Sequence, residues 1–170
     1  MSSLDGLIEY SLNVFNKLFN LELYWDYAII EENTPQSVIE SILMAYDDEW
    51  KTIIVNPQIK AVLGLNNANE KMIDMLIISN VAHEARHAWQ HKQRKFKNII
   101  KNTQSYGLLG IHYVNQEVEV DAYAFQEAVL KILCEDPALH LAVPKNVEAK
   151  IHTKSMEMYH QYCHEIQNLL

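Results

Sequence analysis

The sequence predicts an α+β fold, dominated by helices, in which a small and mainly antiparallel sheet packs on one long helix. Three observations point there. Only four Gly and four Pro occur in 170 residues, while Leu, Ile, Ala, Glu, Lys and Gln abound; this composition favours helix and excludes collagenous, low-complexity and disordered chains. Apolar residues recur at helical spacing in four stretches. Aromatic and β-branched residues concentrate instead between residues 21 and 56, the region left for strands. With 49% hydrophobic residues, the length suits a single domain over residues 1–170, and no linker or internal repeat divides it.

Leu4, Leu7, Ile8, Ser11, Leu12, Phe15, Leu18 and Phe19 fall three and four apart, the stripe of an amphipathic helix with one buried face. From Leu21 to Ile30 the residues Tyr24, Trp25, Tyr27, Ile29 and Ile30 favour a strand. Thr34 and Pro35 break it, and Ser37 to Leu43 suits a short helix or a second strand equally. Met44-Ala45-Tyr46, a polar turn at Asp47-Asp48-Glu49, and Lys51 to Asn56 ended by Pro57 predict a β-hairpin. Pro57 to Gly64 reads as a short helix. Asn67 with Glu70 forms a capping box for a long helix over Ala68 to Lys95. Asn98 to Tyr113, with Gly107 and Gly110, reads as an ordered loop of the kind that lines sites. Further helices follow over Asn115 to Glu135, ended by Asp136-Pro137, and over Lys145 to Leu169.

A formal charge of −8 argues against general nucleic-acid binding, because nothing in the field of the whole molecule attracts phosphate, although it leaves room for local basic patches. No stretch is long and apolar enough to span a membrane, and residues 1–20 lack the basic flank, apolar core and cleavage site of a signal peptide. Two cysteines, Cys134 and Cys163, are too few for a disulfide framework and read as buried thiols; a cytoplasmic protein is expected.

The chemistry concentrates in the long helix. His83-Glu84-Ala85-Arg86-His87 is an HExxH motif. Residues four apart share a helical face about 6 Å apart along the axis, so both imidazoles reach one metal ion. Glu84 sits about 100° around the helix from His83, placed to act as general base on a water without being a ligand. A catalytic site needs a third ligand. Glu117-Val118-Glu119-Val120-Asp121 follows on a second helix. Glu117 and Asp121 share a face, so Glu117 is expected to bind the metal while Asp121 accepts the second N–H of a ligating histidine. Glu119 is the rival ligand. It points about 200° away from Glu117, so both cannot bind one ion.

With these residues the chain resembles the gluzincin metallopeptidases, which pair a helical HExxH with a Glu ligand on a second helix, typically in an ExxxD setting. His83-Glu84-Ala85-Arg86-His87-Ala88-Trp89-Gln90, followed by Glu117, Glu119, Asp121-Ala122 and Phe125, is similar to the HExRHxxQ…ExDAxxF pattern of minimal gluzincins. The resemblance covers about residues 40–130. It implies a zincin-like fold, a zinc cofactor, hydrolysis of a peptide or protein substrate, and a hairpin (Met44 to Asn56) whose edge strand pairs with extended peptide. In size the chain departs from the larger enzymes, and no second domain is expected to form a deep cleft.

Several other residues bear on this reading. An oxyanion needs a donor besides the metal; Tyr113, four residues before Glu117, is the candidate, with His112, Tyr106 and Tyr123 as alternatives. His91 continues the series His83, His87, but lies about 12 Å from His83 along a continuing helix, too far for one ion. His160 and His164 read as a surface pair. Arg86 is expected to make a structural ion pair with Glu119 or Asp121. Tyr46 and Trp50 are candidates for substrate contact. The expected function is a zinc-dependent endopeptidase. Its alternatives are an ImmA/IrrE-type regulatory protease with one dedicated substrate, an inert zinc-stabilised interaction domain, and a helical protein with coincidental histidines.

Overall fold

The computed structural model describes residues 3–64, 69–93, 96–97 and 116–169. Over these residues the fold is α+β and mostly helical, with α1 (Leu4–Phe19), β1 (Tyr24–Tyr27), α2 (Gln36–Ser41), β2 (Met44–Asp47), β3 (Thr52–Val55), α3 (Ile59–Gly64), α4 (Glu70–Lys92), α5 (Glu117–Cys134) and α6 (Lys145–Leu169). The chain forms two compact units, Met1–Ala85 and Arg86–Leu170. The division falls inside α4, which is one continuous helix. Among the described residues, no helix is long and apolar enough to cross a membrane.

In the first unit, the Ser3 hydroxyl accepts the Gly6 N–H at 3.1 Å and so caps α1. The predicted stripe is the buried one, with Leu7, Ile8, Leu12, Phe15 and Phe19 all covered. Asn20 adopts a left-handed conformation (φ 51°) that closes the helix. Asn16 then ties α1 to β1: its Nδ2 donates to the Leu23 carbonyl (3.2 Å) and its Oδ1 accepts the Leu23 N–H (2.9 Å).

The sheet has three strands in the order β1-β3-β2 and is mixed, which corrects the expectation of a mainly antiparallel sheet. The hairpin forms as predicted, Met44 opposite Val55 and Asp47 opposite Thr52. Its turn is held by the Asp47 carboxylate, which accepts the Trp50 N–H at 3.0 Å, and by Lys51 at φ 50°. On the far side of β3, however, β1 pairs in parallel, Tyr24 beside Thr52. A hairpin turn fixes only its own two strands. Thr52-Ile53-Ile54-Val55 is the most apolar strand and takes the centre, with Ile53 and Val55 fully buried, while the strands carrying Asp26 and Asp47 take the edges. Residues 36–41, undecided by sequence, form α2. Asn56 locks this end of the unit: its Nδ2 donates to the carbonyls of Ile39 (2.6 Å) and Ile42 (3.0 Å), and its Oδ1 accepts the Gln58 N–H (2.8 Å).

The start of α4 also differs from expectation. Asn69, not Asn67, caps it, its Oδ1 accepting the Met72 N–H at 2.9 Å; Asn67 lies outside the described residues. Cys134 and Cys163 are thiols and partly exposed rather than buried.

In the second unit, α5 and α6 pack along each other. Between them lies a fully buried pair, Glu127 and Lys131, one turn apart and 2.6 Å from oxygen to nitrogen. Burial pushes the Glu127 carboxyl up. Hydrogen bonds from Lys131, Ser155 and the Leu141 N–H outweigh that and hold it at about 2, against 4.5 for an ordinary Glu. A carboxylate with a lowered folded-state pKa stabilises the fold above its unfolded pKa, and that contribution is lost as pH falls from about 5 toward 2. We expect about 3 kcal/mol to disappear over this window in the wild type and not in Glu127→Gln. Thermal melts collected from pH 7 to pH 2 check this; parallel curves for the two proteins would remove Glu127 as the acid-labile group.

Candidate metal centre

The middle of α4 carries no amphipathic stripe, because every side chain from Val81 to Arg86 is buried. That stretch includes His83, Glu84 and Arg86. Placing three ionisable groups in one buried helical turn is costly unless each meets a compensating charge, hydrogen bond or ion. The helix itself sets His83 and His87 one turn apart on one face.

The partner comes from the first turns of α5. Glu119 is 2% exposed and its Oε1 lies 3.4 Å from His87 Nε2. His83, His87 and Glu119 each offer a ligand atom, and these atoms all fall within 4.8 Å of one another. Ligands at about 2.0–2.1 Å from a tetrahedral ion are themselves roughly 3.3–3.4 Å apart, so the His87–Glu119 distance already suits an ion between them.

Glu117 is not part of this group. It is the exposed first residue of α5. The two carboxylates lie about 200° apart on the helix, so burying one beside α4 turns the other to solvent. The carboxylate grouped with the two histidines is therefore Glu119, the rival of the expected Glu117. The argument for Glu117 rested on its acidic neighbour at i+4, and that neighbour is engaged otherwise. Asp121 accepts from Arg86 Nε (2.7 Å) and Nη2 (3.3 Å), from Gln90 Nε2 (3.0 Å) and from Lys154 Nζ (2.6 Å). Burial raises its pKa, but the Arg86 hydrogen bonds and charge, aided by Lys154 and Gln90, pull it down to about 2. Arg86 therefore makes the structural ion pair expected of it. Its guanidinium also lies 3.8 Å over the Trp89 ring and 5.4 Å over Phe125.

Asp121 reaches the histidine through Gln90 rather than directly. Both amide hydrogens of Gln90 have acceptors, the Val118 carbonyl (2.9 Å) and Asp121 Oδ2 (3.0 Å). Its Oε1, 3.0 Å from His87 Nδ1, must then accept from an Nδ1–H. That tautomer leaves the lone pair on Nε2, the nitrogen facing Glu119. Gln90 thus does for His87 what Asp121 was expected to do. The signal in the sequence was its place three residues after His87, at the Q of HExRHxxQ.

Comparison with known proteins finds no match. No protein-family model, curated protein or solved structure aligns significantly with the chain.

The other candidates separate cleanly. Tyr113, with Tyr106 and His112, lies outside the described residues. Tyr123 is half-buried on α5, and His160 and His164 are exposed on α6, where His164 meets Asn168. Trp50 is 69% exposed in the β2–β3 turn, and the Tyr46 hydroxyl donates to Asp48.

Two imidazoles, one held in the metal-binding tautomer, and a buried carboxylate form a donor set that could hold a divalent transition metal. Glu119→Gln should weaken metal binding at least about 100-fold, while Glu117→Gln stays within about threefold of wild type. Competition with a chromogenic chelator measures both. Equal losses, or a larger loss for Glu117, would restore the spacing argument.

Proposed function

We propose that the chain is a zinc-dependent metallopeptidase, with His83, His87 and Glu119 as metal ligands and Glu84 as general base. The observation that supports this most is the convergence of those three ligand atoms within 4.8 Å beside a buried Glu84. A divalent ion held by this set supplies Lewis acidity toward a carbonyl and makes a water easier to deprotonate. Glu84 takes the proton of the attacking water and returns it to the leaving amine. Gln90 fixes the His87 tautomer, and Arg86 with Asp121 fixes Gln90. The resemblance to minimal gluzincins supports the same assignment, and β2 at an edge of the sheet is the strand it would offer to peptide.

Elemental mass spectrometry on tag-free protein tests the foundation, beside His83→Ala prepared identically. The variant should lose about one zinc per chain relative to wild type. Cleavage of a broad peptide pool, abolished by a chelator and restored by zinc, then tests turnover. Zinc lost without any cleavage would favour an inert zinc-stabilised domain, and metal retained in His83→Ala would remove the peptidase reading altogether.

A further inference from the structure

A second histidine–carboxylate cluster lies wholly within the second unit, away from the HExxH motif in sequence. Glu127 of α5, His140 of the α5–α6 connection and His152 of α6 offer ligand atoms that all fall within 4.8 Å of one another. Glu127 is fully buried, His152 has 17% of its side chain exposed, and His140 has 49% exposed. The cluster is therefore anchored inside and open at one edge.

The hydrogen-bond inventory leaves room for an ion. A carboxylate offers about four lone-pair sites. On Glu127, Lys131 Nζ (2.6 Å) and Ser155 Oγ (2.5 Å) take Oε1, and the Leu141 N–H (2.9 Å) takes one side of Oε2. His152 Nδ1 stands 2.8 Å from the other side of Oε2. It is out of line for a hydrogen bond there, and among the described residues this buried nitrogen makes none. His140 Nδ1 lies 3.3 Å from Oε1, a third hydrogen-bond contact on that oxygen, and its ring is 3.8 Å from the His152 ring, tilted by 33°. On its far side His152 turns Nε2 toward Glu148 Oε1 at 3.7 Å. A carboxylate behind one imidazole nitrogen while the other faces a carboxylate oxygen is the arrangement that orients a ligating histidine.

We propose that Glu127, His140 and His152 form a second site for a divalent transition-metal ion, with the exposed side of His140 as its entry. Glu127 Oε2 and His152 Nδ1, a nitrogen that makes no hydrogen bond among the described residues, would serve as ligand atoms, and His140 would close the set. The ammonium of Lys131 already compensates Glu127, so this site binds more weakly than the one on α4 and α5. Its occupancy would clamp the α5–α6 connection to both helices.

The test is calorimetric titration of tag-free, metal-stripped protein with Zn2+ and with Co2+, whose visible absorption reports histidine ligation. Wild type should bind about two equivalents and His140→Ala about one. In the double variant His83→Ala/His87→Ala, about one equivalent should remain, and adding His140→Ala or His152→Ala should weaken it at least tenfold. His140 is half exposed, so its replacement leaves the fold intact, which circular dichroism checks. Two equivalents retained by His140→Ala, or binding in the double variant that ignores both further substitutions, would overturn the site. Loss of the α4 equivalent alone bears on the proposed peptidase centre and not on this one.

Discussion

Glu84→Gln is expected to abolish peptide hydrolysis while leaving metal content at the wild-type value. The amide is nearly isosteric with the carboxylate and fits the same buried position on α4, but it cannot take a proton from water. Loss of general base catalysis costs about 10²- to 10⁴-fold in rate. His83→Ala should lose activity too, but by losing the metal. The two variants together distinguish a base from a ligand. If Glu84→Gln kept turnover, Glu84 would be a structural residue; if it lost the metal, Glu84 would be a ligand and the assigned roles would have to be redrawn.

The largest effect on stability is expected at Arg86. Its guanidinium makes two hydrogen bonds to Asp121, covers Trp89 and lies over Phe125, at 5% side-chain exposure. Arg86→Ala leaves Asp121 buried, with Lys154 and Gln90 as its remaining partners. Breaking one side of a buried ion pair costs about 3–5 kcal/mol; Lys154, still present, keeps the expected cost near the lower figure. For a chain of this size about 3 kcal/mol corresponds to a drop in melting temperature of roughly 6–12 °C. Arg86→Lys should recover only part of it, because an ammonium neither forks onto a carboxylate nor stacks flat on an indole. Differential scanning calorimetry reads all three proteins. A shift below about 2 °C for Arg86→Ala would mean that the pair is held by the fold rather than holding it.

Most helices were legible because periodicity and end signals are local. The stripe from Leu4 to Phe19 matches α1, and Pro144 with the following apolar spacing matches α6 at Lys145–Leu169. The β2–β3 hairpin was legible for the same reason, a polar turn between two apolar runs. The parallel partner of β3 was not, since nothing in residues 24–27 encodes which neighbour they meet 28 residues later. Glu127 was passed over because its partners come from three separate segments, and no spacing links position 127 to 140 and 152.

The sequence by itself determined that His83 and His87 share a face with Glu84 beside them, because helix geometry converts spacing into position without help from the rest of the chain. It also determined that only one of Glu117 and Glu119 could join them. Which one faces the histidines was decided by tertiary structure. The rotation of α5 about its axis depends on where Asp121 finds Arg86 and where Val118 finds Gln90, contacts across 28 to 35 residues. Those contacts bury Glu119 and expose Glu117. Local pattern names the candidates for a ligand; the packing of one helix on another sets which face turns inward.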